Sequence, residues 1–189
     1  MARFELQPEE NELQKLAADC WQNQGEREHQ LEAEAYAAGA SIRAGEYSLA
    51  NLEAIVRWKS ERVVHYLIGN SEMKICEALR VAASPDASVR KAVEALTALR
   101  GVDLAIASAI LAAIHPERYS VLDFRTLEAL GHARQDVEFY AEYVEFCRRL
   151  AERGIVRPQH DLPGPTPLHA LERGLWEWSR ARVENKVSA

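Results

Sequence analysis

The stretch from Leu96 to Gly131, LTALRGVDLAIASAILAAIHPERYSVLDFRTLEALG, constrains this chain more than any other. Within it, Leu104, Ala107, Ile110, Leu111 and Ile114 fall on one face of a helical pattern. Ala105, Ala109, Ala112 and Ala113 leave little bulk elsewhere. A helix so small and apolar must be buried, with other helices close to its backbone. An amphipathic helix precedes it and ends at Leu99-Arg100. Gly101 supplies the tight connection, and Asp103 stands where it can cap the next helix. His115-Pro116 then ends the helical run, and Val121-Leu122 delivers Asp123 to the start of a further helical pattern, FRTLEAL.

Periodicity elsewhere gives the same class. Long Ala, Leu, Glu and Arg segments repeat at 3.6 residues, and no stretch alternates over the length of a strand. The chain reads as all-α, with helices near 8–23, 27–44, 48–58, 60–69, 71–83, 86–99, 103–114, 123–131, 135–153 and 167–185. Ser48 caps LANLEAIVRW, Ser84-Pro85-Asp86 precedes the helix that enters the glycine turn, and Thr166-Pro167 precedes LHALERGLWEW. The 189 residues suffice for one domain with a full core, 1–189, in which acidic helices over 1–45 flank a helical body over 46–189. The longest loop is expected over 154–167.

Several chemistries lack their residues. Cys20, Cys76 and Cys147 are odd in number and far apart, which reads as reduced thiols. The six histidines show no paired spacing on a helix, so neither a metal nor any other cofactor is expected. There is no phosphate-loop, dinucleotide or Gly-x-Ser-x-Gly pattern. The opening MARFELQPEE has neither the basic nor the apolar part of a signal peptide, and no apolar run has the length of a membrane span. The expected location is therefore cytoplasmic, away from membranes.

Residues 86–131 resemble the helix-hairpin-helix DNA glycosylase superfamily of base-excision repair. Its hairpin of the type Leu-x-Gly-Val-Gly matches Leu99, Gly101 and Val102. Its catalytic aspartate, about two dozen residues after the first hairpin glycine, matches Asp123, 22 positions after Gly101. Ser120-Val121-Leu122-Asp123 looks particularly like the adenine-glycosylase branch. The resemblance implies a DNA-backbone hairpin at Gly101, Val102 and Asp103, and a base pocket formed by residues before Leu96. Asp103 departs from the family's second glycine: a carboxylate at a helix start can fill the N–H donors that a phosphate would take. Ala105 occupies the position of the lysine of bifunctional members, so the implied enzyme is monofunctional and water attacks the sugar. The four-cysteine iron–sulfur cluster of some relatives has no counterpart.

A fixed Asp123 carboxylate can stabilise the oxocarbenium-like sugar formed as an N-glycosidic bond breaks, and the same carboxylate can act as an N-cap. Trp58, Lys59, Tyr119 and Arg125 are the candidate contacts to a base or to double-stranded DNA. The net charge of −6 weighs against a phosphate binder, but residues 1–34 carry 9 acidic and 3 basic side chains, leaving 20 of each sign in the rest. That acidic N-terminal segment suggests a protein partner instead. The alternative reading is thus a catalytically inert helix-hairpin-helix protein that binds nucleic acid or another protein.

Overall fold

The computed structural model describes residues 4–133, 136–157 and 166–187. Among them are ten α-helices and no strand: α1 (Leu13–Asn23), α2 (Glu26–Arg43), α3 (Leu49–Ser60), α4 (Val64–Leu67), α5 (Glu72–Ala83), α6 (Val89–Thr97), α7 (Leu104–Ile114), α8 (Phe124–Ala129), α9 (Val137–Glu152) and α10 (Pro167–Val187). The all-helical expectation holds. The helix expected over 60–69 is instead a 3₁₀ turn, Glu61–Val63, followed by the four residues of α4. Most of the loop expected over 154–167 lies outside the described residues.

The small apolar helix is the centre of the molecule. In α7 every residue from Ile106 to Ile114 is buried, and α2, α3, α5 and α6 all pack on it. The approach of α2 is set by Gly39: a Cβ there would sit 2.1 Å from the Ala113 carbonyl oxygen, so the two backbones touch where a side chain would stand. At the end of α2, Arg43 Nη1 donates to the Ile114 carbonyl oxygen at 2.7 Å and satisfies a C-terminal acceptor of α7. The α6–α7 turn has Gly101 at φ +84, a conformation suited to glycine, and Asp103 Oδ1 accepts from the Ile106 N–H at 2.8 Å as the N-cap of α7.

The chain ends are tied in by different forces. The apolar face of α1, with Leu13, Ala17 and Cys20 buried, packs along α10, so the acidic N-terminal helices are walls of the body. Ahead of them, the Glu5 and Gln7 N–H groups donate to the Leu130 and Ala129 carbonyls at the end of α8. Phe4 joins a cluster of rings with His132, Phe139 and Phe146.

Because the α2–α7 approach leaves no room for a methyl, Gly39→Ala should cost roughly 2–3 kcal/mol or more by overpacking, despite the better helix propensity of alanine. Urea unfolding of the two proteins measures this; equal midpoints would mean that α2 shifts freely.

Candidate active-site cleft

Asp123 owes its position to a short extended segment, Ser120–Leu122, held on both sides by buried hydroxyls. Tyr140 and Tyr143 on α9 donate to the Ser120 and Val121 carbonyls at 3.2 and 2.8 Å. On the other side, the Leu122 N–H donates to Ser108 Oγ of α7 at 2.9 Å. Burial raises the pKa of both tyrosines well above the ordinary value, so they remain hydroxyl donors. The Ser120 and Val121 carbonyls and the Leu122 N–H thus gain partners inside the core, and the next residue is delivered to the start of α8.

There Asp123 is a complete N-cap. Its Oδ1 accepts from the Arg125 and Thr126 N–H groups at 3.0 Å each, and its own N–H donates to Thr126 Oγ1 at 2.9 Å. The other oxygen faces away from the helix. Oδ2 accepts from Lys59 Nζ of α3 at 2.8 Å, in an ion pair whose side chains are only 17% and 10% exposed.

This pair lies in a cleft of about 390 Å³ between α1, α2, α3 and α10. Trp58 comes from α3, Cys20 from α1, Glu28 from α2, and Glu172, Arg173, Trp176, Glu177 and Arg180 from α10. Glu172 is 5% exposed, and burial together with the nearby Asp123 raises its pKa from the ordinary 4.5 to about 7. Beneath it, Glu32 of α2 is fully buried against two residues of α10: Arg173 forms an ion pair with it, and His169 Nε2 lies 2.8 Å from its Oε1. Burial lowers the His169 pKa, which leaves the ring neutral and Arg173 as the charge that balances Glu32. Burial also raises the Cys20 thiol to about 11, so it is a protonated wall residue and not a nucleophile.

The residues singled out from the sequence separate into three places. Asp123, Lys59 and Trp58 meet in the cleft. Arg125 stands beside it, its guanidinium 5.0 Å from the ring centroids of both Phe124 and Trp176. Gly101, Val102 and Asp103 are outside the cleft lining, in the turn before α7. Tyr119 corrects the expectation of a base or DNA contact: it is 2% exposed and packs beside Arg118 and Arg148 in the core. A pocket built only from residues before Leu96 is likewise incomplete, since α10 supplies one wall.

Glu172, Glu32 and Trp176 did not emerge from the sequence as site residues. A signal for the first exists: Glu172 lies four residues after Leu168 and three before Leu175, a carboxylate on the apolar face of its helix. Among the described residues no group of His, Cys, Asp and Glu has the arrangement of a metal site. Compared with family models, with curated proteins and with solved structures, the chain matches none.

Two outcomes follow from this geometry. Asp123→Ala should lose roughly 2–4 kcal/mol, because it removes the cap of α8 and leaves Lys59 without its partner in a largely buried place; Asp123→Asn keeps an oxygen for the cap and should lose less. Chemical denaturation of the three proteins orders them. The carboxyl of Glu172 binds its proton more tightly in the folded than in the unfolded chain, so its contribution to stability falls as pH rises from 4.5 to 7. Between pH 4.5 and 7.5 the wild type should therefore lose about 2–3 kcal/mol more than Glu172→Gln. Parallel stability–pH curves would mean that Glu172 ionises as it does in water.

Proposed function

We propose that the cleft hydrolyses an N-glycosidic bond, in the manner of a monofunctional DNA glycosylase acting on a base flipped out of double-stranded DNA. The observation that carries this reading is the Asp123 carboxylate itself, fixed by three donors in a cleft that also presents Trp58, Trp176 and a second carboxyl, Glu172. The cleft volume of about 390 Å³ is in the range of small-molecule sites, and tryptophan rings suit a flat heterocycle.

In this reaction the bond from the sugar C1′ to the base nitrogen breaks with its electron pair leaving on the base. Positive charge develops on the sugar, and water then adds to C1′ and loses a proton. A preorganised carboxylate facing the sugar lowers the energy of the charged state without moving, a form of stabilisation worth on the order of 10²–10³ in rate for a single well-placed group. Because Lys59 already occupies Oδ2, the role assigned to Asp123 is electrostatic, and water activation is secondary. Ala105 offers no amine for a lyase step. Arg125, whose buried Nη1 has no hydrogen-bond partner among the described residues, is the cation beside the cleft suited to a strand phosphate.

A second reading has its own support. Asp123 is fully engaged as a cap and in an ion pair, and Asp103 fills the Ile106 donor at the α6–α7 turn. Both suit an inert helix-hairpin-helix protein that binds nucleic acid or a protein partner without chemistry.

Asp123→Asn separates the two. If the cleft is catalytic, base release from lesion-bearing duplexes should fall by about 100-fold or more. Affinity for a duplex with an abasic-site analogue, read by fluorescence anisotropy, should stay within about twofold, because the variant keeps the cap. Undiminished base release by the variant would end the catalytic assignment, and duplex binding with no base release by either protein would leave the inert binder.

A further inference from the structure

Asp123 lies between two places that the segment ahead of α1, residues 4–8, holds from outside the cleft. On the downstream side this segment crosses the end of α8. The Gln7 and Glu5 N–H groups donate to the Ala129 and Leu130 carbonyls at 2.9 and 3.4 Å, acceptors of the kind that a helix end leaves vacant. It passes so close to Gly131, which has φ +68, that a Cβ there would meet Gln7 Nε2 at 3.0 Å. On the upstream side the hold runs through rings. Phe4 stacks on Phe146 at 4.9 Å and lies 5.2 and 6.5 Å from the rings of Phe139 and Tyr143, all three on α9. Tyr143 is the residue whose hydroxyl donates to the Val121 carbonyl at 2.8 Å, two positions before Asp123.

α8 depends on such holds. Its six residues are fewer than two turns, too short a run to keep a helical direction without tertiary contacts. The Asp123 capping box fixes its first turn, and Ser179 of α10 donates to Glu128 Oε2 at 2.5 Å along one side. At the far end the Glu5 and Gln7 donors close the helix. Asp123 and those carbonyls are thus opposite ends of one short rod, and a tilt of the far end carries the carboxylate away from Lys59 Nζ, which stands on α3 at 2.8 Å. A charge-assisted hydrogen bond weakens over shifts of a few tenths of an ångström.

We infer that Phe4 is a positioning residue for Asp123: seated on α9, its ring pegs a strap that steadies both the Tyr143 donor before the carboxylate and the end of the helix after it. Neither Phe4, Glu5 nor Gln7 lines the cleft, so the strap acts only through α8 and α9. It is secured by backbone hydrogen bonds and a ring, contacts that can open without unfolding the α7-centred body. The consequence for base release rests on the glycosidase reading; the placement of Asp123 does not.

Two measurements on the whole protein test this without breaking a bond. In Phe4→Ala the amides of Thr126, Leu127 and Leu130 should exchange with deuterium about tenfold or more faster than in the wild type, while Ile110 and Leu111 of α7 keep their rates. Lys59, acetylated in competition with the exposed Lys74, should gain about threefold or more in relative labelling as its carboxylate partner drifts. Phe4→Tyr keeps the ring and should return both readouts to within about twofold of the wild type. Phe4→Leu keeps bulk without a ring face and should show the same pattern at smaller size, so the test survives a Phe4→Ala protein that does not fold. Unchanged exchange in α8, unchanged labelling of Lys59, exchange that quickens equally in α7, or Phe4→Tyr behaving as Phe4→Ala would each overturn the inference. Base release that falls in Phe4→Ala through kcat, with KM held within about twofold, extends the role to the reaction. A wild type that releases no base removes the glycosidase reading, and the exchange and labelling results still decide the role of Phe4.

Discussion

The contact between the backbones of α2 and α7 at Gly39 and Ala113 is the constraint from which the rest of the arrangement follows. A helix with bulky residues at the centre would hold its neighbours about 8–10 Å away, axis to axis, whereas an alanine-rich α7 met by a glycine lets α2 come closer. With α2 seated there, α3 lies across α7 as well, and its last turn brings Trp58 and Lys59 to the end of the Ser120–Leu122 segment. The Lys59–Asp123 pair is thus a consequence of packing more than 60 positions apart in sequence, not of any local pattern. Removing close approach at one glycine would reach the cleft through two helices.

Much of the framework is visible in the residues themselves. The alanine-rich pattern over 104–114 identifies the most buried helix, Ser48 and Asp103 cap the helices assigned to them, and Asp123 stands at the start of α8. What the sequence conceals is depth. Tyr119 looks suited to stacking on a base, yet it is buried beside Arg148 of α9, whereas Tyr66 of the short helix α4 is half exposed. Helix periodicity gives a direction for each side chain but not the identity of the helix it meets.

Burial of charge is the part least accessible from sequence. Glu32 sits in EAEAYAAGAS, an acidic, alanine-rich stretch that resembles a solvated surface, and its partner Arg173 is on the last helix. Isolated, either would carry a large desolvation cost; joined, they make the floor under Glu172 and fix α2 against α10. The same residues that give the N-terminal segment its net charge of −6 thereby include one that is structural and one, Glu28, at the cleft rim. Net charge by segment is a poor guide to partners once a carboxylate is consumed inside the fold.

The pairing of α1 with α10 also bears on how the molecule comes into being. Leu13, Ala17 and Cys20 are synthesised some 150 positions ahead of the helix that covers them. During synthesis the apolar side of α1 has no native partner, and neither Glu32 nor the cleft floor is complete until α10 arrives. Formation of the cleft is accordingly a late, long-range event, with the loop-closure entropy that such closure carries, and the α7-centred body is the part able to assemble before it.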